Sequence, residues 1–275
     1  MNAVRGWVGR HGGAAIGLAA LALVLVWVAY RAYGDPATWI VVTLAGLTLG
    51  SLYFIISSGF TLIFGLMRVV NMAHGSFYLL AGYITFEMQL HGTISWGWSV
   101  VVAVLIVGLG GLVMQQLLLR WNYGQDMRQA LITIAVSYIM ADQMLSYIGG
   151  VAEDVQPAAV FQGSANLHVY GLAYSWFRLF VLLCAAAVGV GLVLLIRRTR
   201  FGMIVRAGVD DRAMVSALGI NVQRVFGVAF FLGSALAGLG GALAGGMVSL
   251  APGEDANFLL KALIVVIIGG MGSLG

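Results

Sequence analysis

Polar side chains stand together between two long apolar runs of this sequence: Arg68, Asn71, His74 and Ser76. Imidazole, amide and hydroxyl groups at this spacing could contact a small polar cargo, gate a passage or close a turn between two helices. The adjacent Gly75 favours the turn, because glycine is the usual residue at tight chain reversals. The cluster is therefore predicted to lie at a helix-to-helix junction, with Arg68 as an anchor on the cytoplasmic side.

Motifs of covalent or nucleotide chemistry are missing from the sequence. Its one lysine, Lys261, is followed by Ala262, so it holds no phosphate-binding loop of the Gly-Lys-Ser/Thr type. His-Glu-x-x-His, Ser-x-x-Lys and Gly-x-Ser-x-Gly are also absent. The four histidines are scattered and there is one cysteine, which argues against a metal site. We expect no enzyme, no cofactor and no metal in this chain, so energy would come from an ion gradient or another chain.

Two acids inside apolar segments are candidates for coupling to an ion gradient. Asp142 lies toward the outer end of the fifth apolar segment, and Glu87 lies near the end of the third. Ionisable groups at membrane depth often serve transport. Snorkelling to the surface or pairing with a neighbouring helix is the alternative interpretation of Asp142. Glu87 is interpreted as an interfacial residue.

The composition indicates whether these residues lie in a soluble protein or in a membrane protein. Of 275 residues, 61% are hydrophobic and 9% charged, against about 25% charged in soluble domains. Because a span needs about 20 apolar residues, the sequence predicts an all-α, polytopic integral membrane protein with about eight transmembrane helices in a single domain, residues 1–275. The segments fall near residues 14–33, 38–66, 75–90, 98–119, 129–149, 176–196, 225–250 and 258–270.

Basic residues predict the orientation of the spans. With the N-terminus inside, 11 of the 14 Lys and Arg residues lie inside and three outside, as the positive-inside rule requires. The net charge of +4 thus indicates cytoplasmic loops and no nucleic-acid partner. This orientation makes 1–13 a cytoplasmic N-terminus, 150–175 a periplasmic excursion and 197–224 a cytoplasmic loop. The first apolar segment is interpreted as an uncleaved helix because no small-residue cleavage site follows it.

Two segments have unusual features. Residues 39–67 carry no charge and would form a helix about 43 Å long, so it tilts across a core of about 30 Å or breaks at the Ser57-Ser58-Gly59 sequence. The seventh segment repeats small residues every four positions, which predicts close packing against neighbouring helices. These residues are Gly233, Ala237, Gly241 and Gly245, with a second ridge at Ser234, Gly238, Ala242 and Gly246.

The loop 197–224 is predicted to contain a short helix over residues 211–218. Asp210 would cap its start and Gly219 would end it. Met214 and Leu218 lie four residues apart on an apolar face. Such a helix needs a partner surface, either lipid headgroups or a cytoplasmic protein.

Three stretches carry a resemblance to a known family. They are "GFTLIFGLMRVVNMAHGSFYLLAGYI" (59–84), "TRFGMIVRAGVDDRAMVSALGINVQRVFGVAFFLGSALAGLGGALAG" (199–245) and "LIVVIIGGMGSLG" (263–275). Residues 39–275 resemble the inner-membrane permeases of branched-chain amino-acid ABC importers. The resemblance implies alternating access in a bacterial inner membrane, a second permease subunit forming a hetero-dimer, two cytoplasmic ATPases that hold ATP and Mg, and a periplasmic binding protein.

Site residues follow from this resemblance together with the polar cluster. Contacts with the ATPase are expected from Arg206, Asp210, Asp211, Arg212, Met214, Leu218, Gly219 and Asn221. The translocation path is expected to include Ser57, Ser58, Thr61, Asn71 and His74. Many family members have glutamate where this chain has Ser76, and they continue into another helix where this sequence ends at Gly275.

Alternatives of cargo and of class stay open at this point. The cargo could be a branched-chain amino acid, another amino acid, an amide or urea. The other class is a stand-alone proton-coupled secondary transporter that uses Asp142.

Overall fold

The computed structural model describes residues 22–24, 26–31, 33–67, 70–92, 94–122, 124–166, 173–210 and 212–270. The predicted cytoplasmic segment 1–13, Arg68 and Asp211 lie outside the described residues. The chain divides into two compact units, one of residues 1–47 and 165–174 and one of residues 48–164 and 175–275.

The first unit contains the helix α1, Ala22–Arg31, and the beginning of α2, Pro36–Met67. Asp35 caps α2, because its Oδ1 accepts a hydrogen bond from the backbone N–H of Thr38 at 3.1 Å. Near this end the rings of Trp27 and Trp39 meet edge to face, with centroids 6.5 Å apart. Two short strands, β1 (Ser164–Asn166) and β2 (Ala173–Ser175), pair with each other.

Most of the second unit is helical. Its helices are α3 (His74–Leu90), α4 (Trp96–Met114), α5 (Asp126–Ile148), α6 (Trp176–Arg198), α7 (Arg200–Asp210), α8 (Arg212–Ala217), α9 (Val222–Ala244) and α10 (Glu254–Gly269). A π turn, Gln115–Leu119, and a 3₁₀ turn, Arg120–Asn122, extend α4.

Five helices of the described chain are long and apolar enough to cross a membrane: Pro36–Met67, Trp96–Asn122, Asp126–Ile148, Trp176–Arg198 and Val222–Ala244. The chain is therefore a multi-pass helical membrane protein. Of the eight predicted spans, two correspond to shorter helices, because α3 has 17 residues and α10 has 16. Half of the first predicted segment, 14–33, lies outside the described residues, and α1 lies in its second half.

The second helix is long and unbroken. It continues for 32 residues through Ser57, Ser58 and Gly59, so the predicted alternative of a break there is wrong. A Cβ on Gly59 would lie 2.9 Å from the Cβ of Leu236, and a Cβ on Gly233 would lie 2.7 Å from the carbonyl oxygen of Gly59. The small residues thus allow α2 and α9 to cross backbone to backbone.

Helix α9 is the most buried span and forms the centre of the second unit. Ala237 is fully buried, and a Cβ on Gly241 would collide with the backbone carbonyl of Tyr78 in α3. The helix ends at Ala244, not at residue 250 as predicted, because a turn begins at Gly245. Gly245 lies close to Val155, in the segment after α5. The backbone N–H of Val155 donates a hydrogen bond to the carbonyl oxygen of Gly245 at 2.9 Å.

The loop 197–224 contains two helices where the sequence predicted one. Thr199 caps α7, since its Oγ1 accepts a hydrogen bond from the N–H of Gly202 at 3.1 Å. Asp210 is the last residue of α7. It was predicted to cap the start of a single loop helix, but it ends the first of two. Gly219 follows α8 with φ of +79°, a left-handed conformation that favours glycine.

Candidate functional site

Asn71 builds the turn that starts α3. Its Oδ1 accepts a hydrogen bond from the N–H of Ala73 at 3.1 Å, and its carbonyl oxygen accepts one from the N–H of His74 at 3.2 Å. The N–H of Met72 donates to Thr133 Oγ1 of α5 at 3.1 Å. The turn is thus made by residues 70–73, upstream of Gly75.

His74 joins α3 to α2. Its ring is fully buried, and Nε2 lies 2.9 Å from the carbonyl oxygen of Ile56. Because a carbonyl can only accept, Nε2 carries the proton, while Nδ1 is buried with no hydrogen-bond partner among the described residues. The ring also meets Phe60 edge to face at 5.5 Å. In this structure the imidazole therefore holds two helices together.

Ser76 lies where three helices meet. Its Oγ is 2.8 Å from Ser137 Oγ of α5 and donates to Asp255 Oδ2 of α10 at 3.1 Å. Gly75 permits this approach, because a Cβ there would lie 3.0 Å from the Cβ of Leu259 and collide with the backbone of Asp255. Gly75 lies inside α3, so the close approach of α10 explains why glycine is present there. The turn that Gly75 predicted lies earlier in the chain.

Asp255 is the residue of this junction that sequence reasoning missed. It is 7% exposed, although it is charged and lies in the first turn of α10. The acidic pair Glu254 and Asp255 before an apolar segment was visible as a helix start. Its contact with Ser76, 179 positions away, is a tertiary feature that no local pattern contains.

The five residues predicted for the translocation path do not share one cavity. Asn71 and His74 are buried in the junction, and Ser57 Oγ donates to the carbonyl of Ala262 in α10 at 3.4 Å. Ser58 and Thr61 line a groove of about 340 Å³ beside α6. Their hydroxyls donate within α2, to Ile55 O at 2.7 Å and to Ser57 O at 2.8 Å respectively.

A cavity opens where the junction reaches α5 and α10, and we call it the α5/α10 cavity. Its volume is about 610 Å³. Its polar lining includes Ser137, Asp142 and Asp255, and its apolar lining includes Ile134, Leu145 and Leu259. The described residues contain no group of three or more His, Cys, Asp or Glu side chains that could hold a metal. The cavity can therefore offer carboxylates and a hydroxyl to a ligand that also has an apolar part.

Helices α5 and α6 are equally exposed but differ in character. In the apolar 18-residue stretch of each helix, 11% of the residues are buried. The mean hydropathy of this stretch is 1.4 in α5 and 3.0 in α6. The exposed surface of α6 suits lipid. The exposed surface of α5 is mixed, because Asp142 and Gln143 lie among apolar side chains such as Leu131 and Ile139. A carboxylate at membrane depth favours water or protein around it. The α5 surface therefore suits a partner chain or an aqueous path.

The loop 197–224 exposes an apolar pair. Val215 of α8 is buried, whereas the exposed fractions of Met214 and Leu218 are 60% and 72%. The Arg206 guanidinium donates to the carbonyl oxygen of Ile196 in α6, and Asn221 caps α9 by accepting from the N–H of Arg224 at 3.2 Å. The side chains of Asp210, Asp211 and Arg212 lie outside the described part of the structure.

Comparisons with known proteins agree with one another. The family model described as branched-chain amino acid transport system, permease component, matches residues 42–275. The high-affinity branched-chain amino acid transport system permease protein LivH of Escherichia coli (strain K12) is 28% identical over 244 residues, which is 83% of this chain and 78% of that protein. BraD of Pseudomonas aeruginosa, of the same description, is 26% identical with the same coverage. A probable branched-chain amino acid transport permease of Methanocaldococcus jannaschii is 25% identical over 80% of this chain and 71% of its own length. No solved structure matches the chain.

Proposed function

Because this chain belongs to the family of branched-chain amino acid transport system permease components, we propose that it is the permease subunit of an ATP-driven importer. It would lie in the bacterial inner membrane with its N-terminus in the cytoplasm. By alternating access it would pass branched-chain or related amino acids from a periplasmic binding protein to the cytoplasm. The chain would hold no cofactor, because ATP and Mg would be bound by two partner ATPase subunits.

The exposed apolar pair of α8 carries the proposal of an ATPase partner. Met214 and Leu218 lie outward on a loop rich in arginine, while Val215 packs inward. Apolar side chains surrounded by charge suit a groove of a cytoplasmic protein better than water. Nucleotide binding in that partner would move α8, and α7 and α9 would transmit the movement to the spans.

The exposed face of α5 supports a second permease subunit. Asp142 and Gln143 are exposed on this helix beside Leu131 and Ile139. A partner permease that encloses an aqueous path against α5 would cover these polar side chains. The cargo would then pass between the two subunits, beside the α5/α10 cavity.

A proton-coupled secondary transporter is the second candidate. Asp142 is exposed, lines the α5/α10 cavity and lies six residues before the end of α5, so it could exchange a proton with water. This candidate needs no ATPase, and the partner surface on α8 would then be without a function.

Purification of the tagged chain together with its natural partners tests the importer. We expect a complex with two ATPase subunits, whose ATP hydrolysis rises when the binding protein loaded with cargo is added. The same complex containing binding protein without cargo is the control. Purification of the chain with no ATPase, from membranes in which the candidate ATPase is present, would contradict the proposal.

A further inference from the structure

A groove runs between the C-terminal parts of α3 and α5, and we call it the α3/α5 groove. Its volume is about 670 Å³. Its lining extends on α3 from Leu80 to His91, about 16 Å along the helix axis, and on α5 from Ile139 to Ile148, about 14 Å. The hydrocarbon of one bilayer leaflet is about 15 Å thick, so the groove has the length of an acyl chain in a single leaflet.

The α3/α5 groove is open to the surroundings of the described chain and is mainly apolar. Ile139 and Tyr147 are exposed at its rim, whereas Met144 is buried at its base. Leucine, isoleucine and methionine side chains form most of the lining. Methionine adapts its shape to its neighbours, so the groove suits a flexible apolar chain.

The composition of the lining favours a lipid over a helix of another protein. Helices that cross in a membrane need small side chains at the contact, as Gly59 and Gly233 provide between α2 and α9. The described lining of the α3/α5 groove contains no glycine, alanine, serine or threonine. A thin acyl chain can enter between large side chains where the backbone of a helix cannot approach.

The charged side chains of the groove lie at one end, where α3 and α5 both end. His91 Nε2 is 3.3 Å from Glu87 Oε2, and both residues line the groove. His91 adds a positive charge only when it is protonated, and the described lining includes no lysine or arginine. The C-terminal ends of both helices carry the negative end of the helix dipole. This end of the groove therefore attracts a cation and repels an anion.

We propose that the α3/α5 groove binds one phospholipid with an ammonium headgroup, of the phosphatidylethanolamine type. One acyl chain lies along the groove against Ile84, Met140 and Met144, and the ammonium group lies at Glu87. Tyr147, close to the end of α5, lies at the depth of the headgroup, as tyrosine does at membrane interfaces. The lipid fills the α3 side of α5 and leaves the α10 side to the partner permease.

Photolabelling of the purified protein in lipid nanodiscs, with the partners that it retains, tests this site. The probe is a trace of phosphatidylethanolamine whose acyl chain carries a diazirine. The background lipid is either phosphatidylethanolamine or phosphatidylglycerol with the same acyl chains, and the latter has no ammonium group. Mass spectrometry of peptides measures the adducts in the groove relative to the adducts on α6, whose exposed apolar surface serves as the reference.

We expect adducts in the groove to be about fivefold more frequent in phosphatidylglycerol than in phosphatidylethanolamine, the ratio expected for one favourable charge contact at a membrane surface. Glu87→Gln should remove the difference between the two backgrounds, since it removes the charge and keeps the shape. Glu153→Gln is the matched control and should keep the difference, because Glu153 does not line the groove.

Ile139→Trp tests the position of the acyl chain. The indole would fill the rim of the groove, so we expect a severalfold loss of groove adducts in both backgrounds. Leu131→Trp is the matched control, because Leu131 is also exposed on α5 but does not line the groove. Undiminished groove labelling in Ile139→Trp would contradict the proposed position of the chain.

Two results on the unaltered protein would overturn the proposal, so its test does not depend on the folding of a variant. Equal groove labelling in the two backgrounds would show that no ammonium group is recognised. Labelling of α6 without labelling of the groove would show that a partner chain, and not a lipid, covers the groove.

Discussion

Leu218→Asp is expected to separate the chain from its ATPase partner and to abolish ATP-driven uptake. Leu218 is 72% exposed and follows directly after α8, so the substitution should leave the fold of the chain intact. In the proposed complex the same side chain is buried in an apolar groove. An uncompensated carboxylate there should cost at least about 2 kcal/mol, or about thirtyfold in affinity. Co-purification of the ATPase and uptake by proteoliposomes measure the two effects.

Ser216→Asp is the matched control for this prediction. Ser216 is exposed on α8, two residues before Leu218, and adds no apolar side chain to the surface. The substitution introduces the same charge. We expect it to retain most ATPase binding and most uptake. Normal assembly and normal uptake in Leu218→Asp would show that α8 does not dock through its apolar pair.

Gly241→Ala is expected to lower the stability of the chain by ~3 kcal/mol, since overpacking a tight contact has costs of this order. The added Cβ would collide with the carbonyl oxygen of Tyr78, and a backbone atom of a neighbouring helix cannot rotate away. Helices α3 and α9 would have to separate, and α9 is the most buried span. The thermal midpoint in detergent and the fraction of monodisperse protein in size-exclusion chromatography measure the loss.

Gly191→Ala provides the opposite expectation in a comparable helix. A Cβ on Gly191 of α6 meets no atom within 4 Å, so only the higher helix propensity of alanine acts, which stabilises by up to about 1 kcal/mol. The two substitutions are chemically identical and should shift the thermal midpoint in opposite directions. Equal shifts would contradict the close crossing of α3 and α9.

Hydropathy predicted the positions of most helices because the bilayer imposes one requirement on every span. An apolar run must satisfy its backbone hydrogen bonds internally, so it becomes a helix. The segment predicted at 176–196 therefore corresponds closely to α6, Trp176–Arg198, and that at 129–149 to α5, Asp126–Ile148. Spacing within α9 likewise indicated a small-residue surface, and Gly241 lies on it.

Contacts between distant segments could not be predicted in the same way. The Ser57–Gly59 sequence is compatible with a kink and with a helix crossing. Only the contact between Gly59 and Gly233, which are distant in the sequence, shows that it is a crossing. Asp255 gives no local sign that it meets Ser76. The helix α7 was missed because a stretch rich in arginine is typical of a loop. The helix is amphipathic, and Val205 lies on its buried face.

Uptake of labelled leucine by proteoliposomes tests the central proposal, a permease energised by a partner ATPase, most directly. The vesicles contain this chain with its second permease and ATPases, and they receive loaded binding protein outside and either ATP inside or an imposed proton gradient. The proposal predicts accumulation with ATP, none with the gradient alone, and none when the ATPases are left out. Accumulation driven by the proton gradient in vesicles without the ATPases, lost in Asp142→Asn, would contradict it and establish the secondary transporter.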